Sequence, residues 1–261
     1  MKNAKLVIVG IVAMATSVLA ADTTNAPVAA GFDPLKNLYV NVGFGSQKLE
    51  SNGNDGQLFQ TVGYNMGLQL KQLDNGVVIG LQNGVNATVT ERDNDQKGVF
   101  NTTSGLFFRN LKLGCNQVAG ATLFDFEHTF DGANLWSFRP ILGLTVSDKD
   151  AIGATASFHI NTDNGEQSTP YAAGFWNRTW NDKIASEAKV GYQFGAIKET
   201  FGSAQVAYGF NKNVNLVALG EVNGNGDYTA GLAVVYGFGG TGQHSTLANI
   251  RGVDATPFPK K

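Results

Sequence analysis

Two neighbouring carboxylates are the residues of this chain best spaced for acid–base chemistry. Asp125 and Glu127 are two positions apart, so on an extended strand they share one face, as paired carboxylates in an acid–base site do. The same spacing also suits a charged wall in which Arg109 and Arg139, on flanking segments, balance the two acids. The second interpretation is favoured.

The three histidines, His128, His159 and His244, do not have the spacing of metal ligands. His159 shares a phase with Ser157 and is typical of polar lining, whereas His128 lies among aromatic residues, as interface histidines do. The glycine-rich stretches "GFGSQ" at 43–47 and "GFGGTG" at 237–242 do not open a helix, so they are not phosphate loops. We therefore expect no catalytic residue, no metal and no cofactor.

Extended strands are the elements that must position these side chains. In "IASEAKVGYQFG", residues 184–195, one phase carries Ile, Val, Tyr and Phe, and the other carries Glu, Lys, Gln and Gly. This period of two is typical of a strand with two unlike faces. It recurs along the chain, and clusters rich in Asn, Asp and Gly separate the repeats. The pattern predicts about twelve strands, with ten and fourteen as alternatives: 37–50, 57–73, 76–92, 97–111, 119–130, 134–147, 150–162, 168–180, 183–197, 201–211, 213–223 and 227–238.

The start of the chain predicts export. Lys2 and Lys5 precede an apolar run at 6–19, which ends in Val-Leu-Ala. A charged region, an apolar region and a small cleavage-site residue are typical of a secretory signal peptide. The run is shorter than the roughly 20 residues of a membrane-spanning helix. We expect cleavage after Ala20.

Charge and cysteine content exclude several classes of protein. Without Lys2 and Lys5 the chain keeps 17 basic against 21 acidic residues, a net charge of about −4. This balance gives no sign of nucleic-acid binding or of a basic membrane-surface patch. The single cysteine, Cys115, cannot form an internal disulfide.

Two architectures fit strands of this kind: a soluble sheet with one solvated face, and a transmembrane barrel with a polar lumen. A soluble sandwich needs a packed interior of large side chains. Here the bulky phase alternates instead with small residues, amides and charges of both signs, which favours the barrel. On this interpretation the lumen is lined by Lys71, Arg109, Asp125, Glu127, Arg139, His159, Arg178, Glu187 and Lys189.

Aromatic residues are predicted to form two belts, as they do at the two interfaces of a bilayer. If the first strand runs outward, one belt falls at the periplasmic rim and the other at the outer rim. The periplasmic belt comprises Tyr39, Trp180, Tyr208, Phe210, Tyr236 and Phe238, and the outer belt comprises Phe130, Trp136, Phe138, Phe158, Tyr171, Tyr192, Phe194 and Tyr228.

The last predicted strand, "TAGLAVVYGF" at 229–238, alternates apolar residues and ends in an aromatic. In this respect the chain resembles Gram-negative outer-membrane β-barrels of the porin-like superfamily over residues 37–238. The resemblance implies an outer-membrane location, contact with its lipid, and recognition by the barrel-assembly machinery. It also implies that this strand is the assembly signal, carried by Gly231, Leu232, Val234, Tyr236 and Phe238. The chain departs from the family in one respect, since 23 residues follow Phe238.

The predicted organisation is a signal peptide at 1–20, a periplasmic segment at 21–36, an antiparallel up-and-down barrel at 37–238 and a polar tail at 239–261. The favoured function is a channel for passive diffusion of small solutes or ions. The alternative is a structural or interaction barrel with a closed lumen. An enzyme is less favoured, because resemblance to outer-membrane lipid hydrolases would require a His-x-Ser-Asn type motif, which is absent here. A soluble secreted β protein is also less favoured. The sequence leaves the oligomeric state open.

Overall fold

A computed structural model describes residues 38–48, 56–92, 95–129, 132, 134–161, 170–194 and 198–238. The predicted signal peptide, the periplasmic segment and the polar tail lie outside these residues. No helix in the described ranges is long and apolar enough to cross a membrane.

The described residues form twelve antiparallel strands that close into one barrel, in which β1 pairs with β12 and every other strand pairs with its neighbours in the chain. The predicted all-β barrel of twelve strands is confirmed. The strands are β1 (Leu38–Lys48), β2 (Gln57–Gln72), β3 (Val78–Arg92), β4 (Asp95–Leu113), β5 (Asn116–Thr129), β6 (Asn134–Thr145), β7 (Asp150–Asn161), β8 (Tyr171–Thr179), β9 (Ile184–Gln193), β10 (Glu199–Gly209), β11 (Val214–Asn223) and β12 (Tyr228–Gly237).

The predicted boundary between β4 and β5 is the largest error in the strand assignment. The sequence places a break at 112–118, but β4 continues to Leu113 and a tight turn at Gly114 and Cys115 leads directly into β5. The register shifts between Phe108 and Leu111, and Asn110 has a φ of 62°. A bulge inserts an unpaired residue and moves the side-chain alternation out of step. This is why the period of two is lost in a segment that is nevertheless a strand.

The register assigns each side chain to one of two faces, because directly paired residues point to the same side of a sheet. The outer face carries most of the exposed bulk: Phe44 is 62% exposed, Leu58 67% and Val190 70%. Such an apolar band on a closed barrel is the surface that a bilayer covers. Leu38 and Tyr64 also belong to this phase but are buried in a small cluster near the start of β1.

The two ends of the barrel are built differently. At the turn end, where β1 begins and β12 ends, the connections are short, and side chains such as Asn181 and Asn211 cap them. Asn181 Oδ1, for example, accepts hydrogen bonds from the backbone N–H groups of Lys183 and Ile184. At the opposite, loop end the connections include the longer segment 162–170. Short periplasmic turns and longer outer loops are typical of outer-membrane barrels.

Both predicted aromatic belts contain exposed rings. Trp180, Phe210 and Tyr236 are exposed at the turn end, and Trp136, Phe158, Tyr192 and Tyr228 lie toward the loop end. Tyr39 and Tyr171 depart from the prediction. Tyr39 pairs with Gly237 on the inner face and is buried there, and Tyr171 pairs with Ser157 and Gln193 on the inner face, where it lines the lumen. Phe130 lies outside the described residues.

We expect Val190→Arg to impair membrane insertion much more than Lys189→Val. Val190 is 70% exposed on the outer face, and an arginine at mid-depth in lipid costs about 2–4 kcal/mol. Lys189 points inward, so its replacement by valine leaves the lipid-facing surface unchanged. The measurement is the fraction of each variant that refolds into lipid vesicles, read from the different electrophoretic mobility of heated and unheated samples. Equal yields would mean that neither face meets lipid.

Candidate functional site

The inner wall encloses a polar cavity toward the loop end. The volume open to the centres of water-sized spheres is about 110 Å³. One water molecule needs about 10–15 Å³ on this measure, so several water molecules fit. Among the residues that line the cavity are six of the predicted lumen residues: Asp125, Glu127, Arg139, His159, Glu187 and Lys189.

A buried ion pair forms one wall of this cavity. Arg139 Nε donates to Asp125 Oδ2 and Arg139 Nη2 donates to Asp125 Oδ1, each at 2.8 Å. Thr103 on β4 also donates to Asp125, and Ser137 Oγ lies 3.5 Å from its other oxygen. This two-pronged pairing joins three strands and occupies both carboxylate oxygens. Asp125 is thus placed as a wall residue and not as a general base.

The remaining charged residues of the cavity and its histidine lie on β5, β7, β9 and, with Glu221, β11. Lys189 Nζ lies 3.9 Å from Glu187 Oε1 on the same strand. His159 is opposite Ser137, and Glu127 is opposite Leu135. Acidic and basic side chains therefore line the same cavity, as charged residues line the pores of ion channels.

Three predicted lumen residues lie elsewhere. Arg109 is on the inner face but at the turn end, opposite Val78. Lys71 is not in the lumen, because a bulge in β2 places it opposite Ile79 on the outer face, where it is exposed.

Arg178 is on the outer face, so its predicted place in the lumen is wrong. It is paired with Asp150 on β7 at 3.2 Å, and its guanidinium carbon lies 4.7 Å from the centre of the Trp180 ring. A cation at the rim can point away from the lipid while its stem lies along it, and the aromatic ring adds a cation–π contact.

Two apolar clusters on different arcs of the inner wall were missed by the sequence analysis. Most members lie in the turn-end half of their strands, so the lumen changes from charged to apolar along its length. A partial signal exists, because Phe107 and Phe175 fall in the phase that otherwise carries small and polar residues. The first cluster contains Val78, Phe107, Ala121, Leu123, Ile141, Ala151 and Phe175, and the second contains Tyr39, Phe59, Ala207, Val217, Ala233 and Val235.

Large rings on the inner wall lie against it because their cross-strand partners are glycines. A Cβ on Gly191 would be 2.5 Å from Phe201 Cζ, so the ring occupies the space of the missing side chain. Rings that cover a glycine in this way stabilise strand pairs. They also leave the lumen wider than upright rings would. The inner-face pairs of this kind are Gly45 with Phe59, Gly80 with Phe107, Gly153 with Phe175 and Gly191 with Phe201.

The outer face carries one constellation with catalytic elements. His128 Nδ1 lies 2.8 Å from Asn134 Oδ1 near the loop end, so the imidazole is oriented by an amide. The same-face neighbours of His128 that the structure describes, Phe100 and Phe126, carry no nucleophile. The residue two positions further on is Phe130, which lies outside the described ranges. In the described part of the chain, no group of three or more His, Cys, Asp or Glu is arranged to hold a metal ion.

The fold is a closed, twelve-stranded antiparallel β-barrel, and solved outer-membrane porins have a similar fold. No protein-family model matches the sequence, and none of the curated proteins does either. Among solved structures, the chain is similar to the KdgM porin, with 11% identity and a TM-score of 0.53 over 76% of this chain and 98% of that one. It is also similar to the NanC porin, at 9% identity and a TM-score of 0.51 over 76% and 98%.

Outer membrane phospholipase A from Escherichia coli is similar to the same degree, at 10% identity and a TM-score of 0.53 over 76% of this chain and 92% of that one. At these identities the likeness is one of fold alone. The barrel is therefore common to channels and to an enzyme, and function must be argued from the residues.

We expect Gly191→Ala to destabilise the barrel and Gly220→Ala to be tolerated. The new Cβ at 191 would meet the Phe201 ring at 2.5 Å and Ala172 O at 2.7 Å, whereas nothing lies within 4 Å of a Cβ at 220. Overpacking of this kind costs about 1–3 kcal/mol. The temperature at which the folded, heat-modifiable form is lost would measure the difference. Identical behaviour of the two variants would show that the ring does not depend on the glycine.

Proposed function

We propose that the chain is an outer-membrane channel for passive diffusion of small solutes or ions. The observation that carries the proposal is a charged cavity inside a closed barrel whose outer face is apolar. Packing alone does not account for this wall, because its four carboxylates outnumber its two cations and excess buried charge destabilises a structure. It suits a lumen through which hydrated solutes pass.

The similarity to the KdgM and NanC porins supports the proposal at the level of shape. One KdgM structure is a complex with oligogalacturonate, so solute binding is compatible with a barrel of this form. The apolar clusters line the turn-end half of the lumen, and the charged cavity has a volume of only about 110 Å³, which favours small solutes over large ones.

Location and assembly follow from the same proposal. Leu232, Val234, Tyr236 and Phe238 are all at least 40% exposed, and β12 closes the barrel against β1. These residues, with Gly231, would be the strand that the assembly machinery of a Gram-negative-type outer membrane recognises. The outward side chains would then contact its lipid.

The alternative function is a structural or interaction barrel with a closed lumen. The observation in its favour is the tight inner packing, in which Phe59 and Val235 are each only 1% exposed. The conduction measurement below separates the two, because a barrel closed by these side chains passes no current.

Purified, heat-modifiable protein in a planar bilayer should give discrete conductance steps. Ser203 lines the cavity on β10, and its neighbour Ala204 faces outward, opposite Ala188 and Gly220. We expect Ser203→Trp to reduce the step by about half or more, because it fills the lumen. Ala204→Trp places the same ring in lipid and should leave the step unchanged. Folded protein without steps would favour the closed barrel.

An enzymatic function is the third candidate, and the His128–Asn134 contact is the observation that favours it. Hydrolysis by such a pair requires a nucleophile that the histidine can deprotonate, and the position two residues after His128 is a phenylalanine. We expect no phospholipid turnover by the folded protein in mixed micelles. Turnover that is lost in His128→Ala would contradict the channel as the sole function.

A further inference from the structure

We propose that the channel passes small cations and neutral solutes in preference to anions. This inference rests on the proposed channel function and adds the class of solute. It is carried by the net charge of the cavity and by buried polar atoms of Asn177 and Glu199, on the same inner wall, that have no hydrogen-bond partner in the described part of the chain.

The cavity is lined by more carboxylates than cations. Arg139 and Lys189 supply the positive charges, and two negative charges remain whichever acids they pair with. Elsewhere on the inner face, Glu199 at the loop end is offset by Arg109 at the turn end, and Lys112, opposite Gln117, is exposed beside the turn that follows β4. The cavity carboxylates are Asp125, Glu127, Glu187 and Glu221.

The positive groups are also placed poorly for an anion. Two donor nitrogens of Arg139 point at Asp125, and the arginine is only 3% exposed. Lys189 lies beside Glu187. Each cation of the cavity therefore already lies against a carboxylate, which weakens its attraction for an incoming anion.

Asn177 supplies an independent observation. Its side chain is 2% exposed, lies on the inner face directly opposite Glu187, and neither amide atom has a hydrogen-bond partner in the described structure. A buried amide is nearly always satisfied by protein, water or an ion. Because a carboxylate lies beside it, a hydrated cation suits this place better than an anion; amide and carboxylate oxygens are ligands of hard cations.

Glu199 extends the same chemistry to the loop end. Its Oε1 accepts a hydrogen bond from Asn223 Nδ2 at 2.8 Å, while its Oε2 is buried without a partner in the described residues. Carboxylate oxygens thus occur at the loop end of the lumen, on Glu199, and along the cavity, where Glu187 lies opposite Asn177. Wall charge of one sign, enclosed by low-dielectric walls, raises the local concentration of the opposite ion. The net charge of the cavity therefore sets the preference for cations.

The test is the reversal potential of the folded protein in a planar bilayer under a KCl gradient. The expected result is a potassium-to-chloride permeability ratio above one. The double variant E127Q/E221Q should lower this ratio about two-fold or more, and Lys189→Gln should raise it, because each changes the wall charge. Asp148→Asn is the matched control, since this exposed residue lies in the turn after β6 and should leave the ratio unchanged.

The outcomes separate the two proposals. Current with a chloride preference, or an unchanged ratio in heat-modifiable E127Q/E221Q and Lys189→Gln, would overturn the cation inference and leave the channel intact. Folded protein that passes no current would overturn both. High salt offers a further check, because at about 1 M the screening length falls to about 3 Å and the preference should weaken.

Discussion

Closure of the sheet is the constraint on which the rest of the structure depends. Within a bilayer there is no water to satisfy an open strand edge, so the hydrogen bonds of the first strand must be met by the last. The β1–β12 pairing meets this requirement over ten residue pairs, from Tyr39 with Gly237 to Lys48 with Tyr228. Once the ring is closed, each strand has one face toward lipid and one toward the lumen. A slip of one residue would exchange the two faces.

The inner wall reconciles two requirements that oppose each other. Strands need large side chains to hold their neighbours, but a lumen needs space. The cross-strand pairs of a ring with a glycine meet both needs, because the ring packs on backbone and leaves the centre free. The buried Asp125–Arg139 pair does the same for charge. It joins β5 to β6 and keeps the two groups against the wall, where each satisfies the other.

The strands could be predicted because lipid and lumen impose opposite demands on alternate residues, and a period of two records this directly. Bulges could not, because they break the period that identifies a strand; this is why β4 and β5 were placed poorly near Asn110. Arg178 was assigned to the lumen by its charge alone, whereas Asp150 and Trp180 satisfy it at the outer rim. The apolar clusters were missed because most of the inner phase is small or polar, and single large residues in it, such as Phe107 and Phe175, do not show that they pack together across strands.

The tight turn between β4 and β5 makes the two ends of the barrel chemically different. Cys115 is the single thiol of the chain, and it is exposed in this turn, at the end where β1 begins and β12 ends. A reagent that cannot cross a membrane would therefore meet the thiol from one side only. Labelling of this thiol would therefore report the orientation of the inserted barrel. The direction of a current relative to the two ends of the barrel could then be assigned without adding a foreign tag.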